Sequence, residues 1–440
     1  MRGILGWGVH LPHGRLDRTQ IAALVGTGGG KGTRVVSSYD EDSTTMAVEA
    51  GRNALRDSAT TPATLWFATT TPAYLDKTNA TAVHAALRLD RSAAAYDAIG
   101  SMRSTVGALR AALDGRDTAL VVGSDVRTGR PGSADEANGA DAAAAVVVGD
   151  GPVVAELVAH GLATEEFLDR WRGPGEPGSR QWEERFGETK YVPLGAEALK
   201  SALGAAGLDA AAVDHLVVAG LHDRACASVA KASGVDPDKV VDRLAASVGN
   251  PGAAQPLLLL ARALEAATPG QVIVLVVLSD GADVLVLRTT EAIASYRASR
   301  PVATQIMSGA PVEYGRYLAW RGMLPVEPPR RPEPARPSAS AAGRNTDWKF
   351  GLTSSAGVLA DQQGAVTTFT IDKLAYSQSP PVVFAVVDFD DGERLPIELT
   401  DVKADEVEIG MRVEMTFRRL FASDGIVNYF WKARPIRGVE

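Results

Sequence analysis

The sequence predicts a duplicated α/β protein followed by a small all-β barrel. Three observations lead there. Residues 1–324 alternate helix signals with short buried-strand signals. That order occurs twice. After a proline-rich stretch the pattern changes to short alternating strands. At 440 residues the chain also exceeds one ordinary core.

In the first half, Asp42 or Ser43 can cap a helix carrying Met46, Ala47, Ala50, Ala54 and Leu55 along one side. Leu65–Ala68, Thr118–Gly123 and Ala143–Val148 read as buried strands. In the second half a helix near Leu194–Leu203 precedes the strand His215–Ala219. A helix over Pro256–Ala266 precedes Val272–Leu278, and Asp280-Gly281 turns the chain into Val284–Leu287. The units TTMAVEAGRNALRDSATTPATLWFATTTP and LGAEALKSALGAAGLDAAAVDHLVVAGLH share helix, loop, buried strand and polar turn. Two such units pack about a pseudo-twofold axis, with the reacting site between them.

Pro325–Arg344 is rich in Pro, Arg, Ser and Ala without an apolar period, so it reads as an extended linker. Beyond it lie five strand candidates: Ala365–Ile371, Val382–Phe389, Leu395–Leu399, Arg412–Arg418 and Ile426–Ala433. Asp391-Gly392 and Asp424-Gly425 are hairpin signals, and the set suits a small barrel. The expected division is 1–160, a first half; 161–190, an insertion or lid; 191–324, a second half; 325–345, the linker; and 346–440, the barrel. The insertion carries Trp171-Arg172 and Trp182–Phe186, a polar and aromatic lid or contact surface.

A net charge of −8 with no basic stripe argues against a nucleic-acid binder, and the acidity of the barrel strands argues the same for a single-strand groove. Cys226 is the only cysteine, which leaves no intrachain disulfide and no cysteine metal site and fits a reducing cytoplasm. Met1–Arg15 lacks a signal-peptide apolar core. The most apolar run, Gln271–Leu278, is far short of the roughly 20 residues of a membrane helix. Gly26–Thr33 fails the phosphate-loop spacing, because Gly32 follows Lys31.

Several segments resemble a known family. Tyr39–Met46 followed by AVEAGRNAL, then WFATTTPAYLDKTNATAVHAAL, then SVGNPGAAQPLLLL, occur in the order found in 3-hydroxy-3-methylglutaryl-CoA (HMG-CoA) synthases and ketoacyl synthase III proteins of the thiolase superfamily. The resemblance covers about residues 1–320. The tail resembles the OB-fold domain that accompanies thiolase-like enzymes, in VVDFDDGERLPIELTDV, IGMRVEMTFRR and YFWKARP. The family's zinc ribbon has four cysteines where this chain has none, so no zinc is expected. The resemblance implies a thiolase fold of two βαβαβ halves, layered α-β-α-β-α, plus the barrel.

It also implies a site. Family enzymes use a Cys-His-Asn set, the cysteine carrying the acyl group at a helix N-terminus. Counting back from Ala108-Leu109, the cysteine position falls on Met102, with Ser101 adjacent. Laid without gaps on AGLHDR, the ketoacyl synthase His-x-x-Asn-x-Arg pattern places its histidine on Ala219, its asparagine on His222 and its arginine on Arg224; Asn250 matches its own family role directly. Thr69, Thr70 or Thr71 stands where HMG-CoA synthases carry an acid. The expected catalytic set is His222, Asn250, Ser101 and Met102, with Arg103 and Arg224 for coenzyme A. The implied function is acyl-CoA carbon–carbon bond chemistry of Claisen, aldol or acyl-transfer type, without the usual cysteine. The coenzyme A thioester is substrate, with no covalently bound cofactor. The expected setting is a homodimer or a heteromer with a thiolase-like subunit. The alternative is a non-catalytic scaffold whose OB domain bridges to a catalytic partner. For Cys226 the residues alone favour a small core position, and for Ser101 a helix cap.

Overall fold

The computed structural model describes residues 1–327, 330–336, 338, 346–354 and 357–437. Nine strands form one mixed sheet: β1 (Arg2–His10), β2 (Thr64–Thr69), β3 (Ala94–Ile99), β4 (Ala119–Val126), β5 (Asp141–Asp150), β6 (Ala155–Thr164), β7 (His215–Gly220), β8 (Val272–Leu278) and β9 (Gly281–Thr289). Their order is β7-β8-β9-β6-β1-β5-β4-β2-β3. The pairing repeats. β1 is antiparallel to β5, β5 antiparallel to β4, and β4 parallel to β2. In the same way β6 is antiparallel to β9, β9 antiparallel to β8, and β8 parallel to β7. The halves join where Gly3 pairs with Glu156 and Ile4 with Ala155.

Five helices make the layers: α1 (Ser43–Ser58), α2 (Met102–Asp114), α3 (Glu184–Ala206), α4 (Asp223–Ala232) and α5 (Gln255–Ala266). Val106 and Leu109 of α2 and Leu257–Leu260 of α5 share one core with Val121 and Val146 of the first half and Val217 and Leu275 of the second. These two helices are therefore the central layer. α1 covers the outer face of the first half, where Met46 and Ala50 meet Leu65 and Phe67. α3 and α4 cover the outer face of the second, where Ala198 and Val229 meet Val218 and Val274. Along β8 the side chains alternate, Ile273, Leu275 and Val277 inward and Val274 and Val276 outward, as the period of a strand requires. The five layers implied by the resemblance are present.

Strands β1, β3 and β6 carry no signal in the sequence reading. The reason is clearest for β1, whose Gly3, Gly6 and Gly8 read as irregular chain. A Cβ at Gly8 would stand 2.3 Å from Ala54 N and 2.4 Å from Ala50 O, so glycine lets α1 lie directly on the strand. The helix expected from about Leu194 begins at Glu184, because Pro193 in its interior reads as a start rather than a middle. β6 ends at Thr164, so only residues 165–183 of the expected 161–190 segment lie between regular elements.

The C-terminal strands are β10 (Gln363–Asp372), β11 (Val382–Phe389), β12 (Arg394–Glu398), β13 (Arg412–Ser423) and β14 (Ile426–Pro435), in the order β12-β11-β10-β13-β14. A parallel bridge from Leu399 to Ala433 closes them into a barrel. Part of the expected linker, 328–329, 337 and 339–345, lies outside the described residues. The barrel packs on α1, with Phe417, Tyr429 and Trp431 in one core with Met46 and Ala50. At that contact Arg418 meets Asp40 at 3.3 Å, Glu41 at 2.9 Å and Asp401 at 2.6 Å. Lys432 meets Asp40 at 3.0 Å and Glu398 at 2.5 Å, and Arg434 meets Glu49 at 2.8 Å. The start of α1 thus anchors the barrel through buried charge. Among the described residues no helix is long and apolar enough to cross a membrane, and no cluster of His, Cys, Asp and Glu could hold a metal ion.

Candidate active site

A cavity of about 500 Å³ opens between the halves. Its floor is where strands β2, β3, β4, β7 and β8 release the chain, at Thr70, Ile99, Arg127, Leu221 and Ser279. The N-terminus of α2 faces it through Gly100, Ser101 and Met102. Ligand sites of open α/β sheets form at such carboxyl ends. The segment 165–183 roofs it with Asp169–Glu176 and Ser179.

The expected residues divide sharply. Ser101 and Met102 line the cavity. Ser101 is the N-cap of α2: its Oγ accepts from Arg103 N at 3.3 Å, and its own N–H donates to Ser104 Oγ at 3.4 Å. Among the described residues no basic side chain bonds it, so none prepares it as a nucleophile. Met102 is buried at the first turn, a thioether where a thiolate would serve.

The others do not line the cavity. His222 caps α4, with Nδ1 accepting from Ala225 N at 3.1 Å and Nε2 bonding Glu184 O at 2.7 Å. Both ring nitrogens are committed to main chain because the helix start needs them. Asn250 clamps its loop, donating to Gly220 O at 2.8 Å and accepting from Gly252 N at 3.0 Å. Arg103 staples α2 to the second half, through Asp283 at 2.7 Å, Asp280 O at 2.6 Å and Thr164 Oγ1 at 2.6 Å. Arg224 stands on the surface beside Glu184. Gap-free counting from AGLH placed His222 and Arg224 near the site in sequence, but the turn after β7 directs them away from it.

Asp169 and Arg127, not singled out by the sequence, join Arg172 of the expected lid in the polar lining. Asp169 is buried, and among the described residues its Oδ1 has no hydrogen-bond partner. Burial pushes its carboxyl above the usual range; His222 and Arg170 pull against this, and Asp280 adds to it. A Cβ at Gly187 would stand 2.6 Å from both Asp169 Oδ1 and His222 Cδ2, so His222 backs the acid from behind. Arg127 follows β4, and Arg172 donates to Thr70 O from the roof. The cavity lining therefore carries the acids Asp169, Glu176 and Asp280 and the guanidinium groups of Arg127, Arg170 and Arg172.

The threonines standing in for the family acid surround another acid. Asp125, at the end of β4, accepts from Thr69 Oγ1 at 3.0 Å, Thr70 N at 2.6 Å, Thr70 Oγ1 at 2.9 Å and Ala253 N at 2.7 Å. It holds the two halves' loops together. The signal was legible: SDVR breaks abruptly from an apolar strand.

The comparisons agree with this architecture. Residues 203–286 match the family model described as 3-oxoacyl-[acyl-carrier-protein] synthase III C terminal. Residues 357–418 match the model described as ChsH2, C-terminal OB-fold domain. The hydroxymethylglutaryl-CoA synthase of Aeropyrum pernix is 29% identical over 345 residues, 74% of this chain and 95% of that protein. The one from Methanopyrus kandleri is 28% identical, over 73% and 97%. This chain has a thiolase-type fold, is similar to HMG-CoA synthases and carries an OB-fold domain. Solved structures share its fold. The 3-oxoacyl synthase III of Pseudomonas aeruginosa PAO1 superposes with TM-score 0.59 at 24% identity, covering 66% of this chain and 98% of that one. MvaS in complex with 3-hydroxy-3-methylglutaryl coenzyme A superposes with TM-score 0.63 at 20% identity, covering 76% and 94%.

This HMG-CoA-synthase-like chain keeps its one thiol elsewhere. Cys226 is buried under α4, 2.7 Å from where a Gly220 Cβ would be, and burial pushes it up to about 11. A thiol-specific disulfide reagent at pH 8 is expected to label no cysteine in the native protein and one after denaturation. Fast native labelling contradicts the assignment of Cys226 to the core.

Proposed function

We propose that this chain makes or breaks a carbon–carbon bond in a coenzyme A thioester by aldol-type proton transfer, without a cysteine acyl-enzyme and without a covalently bound cofactor. The observation that carries the reading is one substitution of chemistry in one cavity. At the α2 N-terminus stands Met102, while Asp169 in the same cavity has a raised affinity for a proton. The relatives are named as HMG-CoA synthases, and one structural neighbour holds 3-hydroxy-3-methylglutaryl coenzyme A.

In the cleavage direction, Asp169 takes the β-hydroxyl proton of a β-hydroxyacyl thioester. The Cα–Cβ bond breaks, the β-carbon leaves as a carbonyl, and the electron pair moves onto the thioester oxygen. The α2 N-terminus, at the positive end of the helix dipole, stabilises that enolate oxygen. Protonation at Cα completes the step, and condensation is the reverse.

The test combines turnover with intact mass. The purified protein is expected to cleave a β-hydroxyacyl-CoA while its own mass stays unchanged throughout. An acyl adduct on Ser101 or Cys226 overturns the reading.

The edge strand β3 favours a second arrangement around the same site. It has an open edge and exposes Tyr96 (49%) and Ile99 (44%). A second copy or a thiolase-like subunit adding there would make this chain part of a cytoplasmic complex, or a scaffold if the partner alone turns over.

A further inference from the structure

We infer that the seam between the α/β body and the barrel holds a binding site for a small phosphate monoester, separate from the cavity between the halves. The seam encloses a second cavity of about 330 Å³, within the roughly 300–1,000 Å³ range of small-molecule sites. The body supplies one wall, with His13 after β1, Arg56 of α1 and residues from 299–308. The barrel supplies the other, with Asp401, Glu414 of β13 and residues 434–437. None of these residues lines the cavity between the halves.

Charge does not balance along its lining. Four guanidinium groups, of Arg56, Arg300, Arg434 and Arg437, face two carboxylates, Asp401 and Glu414. Both carboxylates are already held, Asp401 by Arg418 at 2.6 Å and Glu414 by Arg300 and, at 2.9 Å, by Arg434. Glu49, which also meets Arg434, is shared with Arg52. Donors remain. Among the described residues, Nη1 of all four lining arginines and Nε of Arg300 and Arg437 have no hydrogen-bond partner. The arginines also repel one another: Arg434, ahead of burial, pushes Arg300 below the usual guanidinium range, and Glu414 opposes it. Excess cations with free N–H groups on both walls suit a dianionic phosphate, whereas a carboxylate carries one charge and fills one planar fork. A ligand held by both walls would also clamp the barrel to the body.

The experiment titrates the full chain with inorganic phosphate, acetate and free coenzyme A, at constant ionic strength set with sodium chloride, and reads calorimetry and thermal unfolding. Wild type is expected to bind phosphate at least about tenfold tighter than acetate, and bound phosphate should raise the unfolding temperature, because it binds only the docked state. Arg437→Gln and Arg56→Gln are each expected to weaken phosphate about tenfold, the worth of one charge-assisted hydrogen bond; the second carries the test if the first does not fold. No phosphate binding above the chloride background overturns the inference, and so does equal affinity for acetate. Unchanged phosphate affinity in both variants overturns it too, by placing the anion elsewhere. Displacement of phosphate by coenzyme A overturns it by assigning the seam to the substrate's own phosphates. The carbon–carbon reading of the other cavity stands under each of these outcomes.

Discussion

Asp169→Asn is expected to lower turnover of a β-hydroxyacyl-CoA by roughly 100- to 10,000-fold, the range over which a positioned acid–base group acts. The amide fills the same space above Gly187 and against His222 but cannot exchange the proton. Its KM should change little, because the amide keeps that fit. Burial and Asp280 raise the folded affinity of Asp169 for its proton. Cleavage needs the ionised form, so kcat in that direction should rise with pH through a value above the ordinary carboxylate range and then level. The variant should retain only a flat residual rate. Thermal unfolding checks that the loss is chemical: replacing a buried carboxyl that lacks a partner on Oδ1 should leave stability unchanged or slightly higher. A variant with wild-type kcat and the same pH limb contradicts the assignment.

Arg418→Met is expected to destabilise the protein by about 3–5 kcal/mol, measured by denaturant unfolding, the cost of removing one member of a buried ion group. Arg418 is 1% exposed by side chain and is shared by Asp40, Glu41 and Asp401. Without it, Asp40 keeps Lys432, while Glu41 keeps His10 and the Ser38 N–H. The same contact sets the acid limit. Burial alone would raise the Glu41 carboxyl, but Arg418 and His10 hold it down at about 2; Arg434 and Arg300 hold Glu414 at about 2 against the same burial. Asp40 and Glu49 are held lower still. Their unfolded values lie near 4, so the folded state binds fewer protons. The stabilisation is therefore complete above about pH 4.5 and lost as pH falls toward 2. His13, in the seam beside Arg437, is pushed down to about 4 by burial and adds a loss between about pH 6.5 and 4. Unchanged stability in Arg418→Met would show that the barrel docks through its apolar core alone.

Much of the fold was legible because buried strands flanked by turns leave short apolar runs, and Val272–Leu278 and Val382–Phe389 match to the residue. β1 was not, because its glycines serve close approach, of Ala155 at Gly3, Tyr296 at Gly6 and α1 at Gly8, and a glycine-rich strand resembles a loop. The start of α3 was hidden by Pro193. The site was harder. Met102 and Ser101 fall on the cavity because helix phase from Ala108-Leu109 carries register backward reliably. His222 fails because one residue of turn geometry after β7 decides whether a side chain faces the cavity or caps a helix. Asp169 and Arg127 belong to segments that come together only when roof and floor meet, and nothing in their local spacing announces that. Tyr39–Met46, read as a family helix start, proves also to be the barrel's anchor, through Asp40, Glu41 and Asp42, the last bonded to Tyr429 at 2.8 Å.

The central claim is that the acyl thioester reacts in the gap between Asp169 and the α2 N-terminus. A crystal structure with a non-cleavable thioether analogue of a β-hydroxyacyl-CoA addresses it most directly. The account predicts the carbonyl oxygen at the Ser101–Met102 turn and the adjacent carbons facing Asp169. An analogue with its acyl group in the seam beside His13 and Arg437, or outside the roof segment, would contradict it.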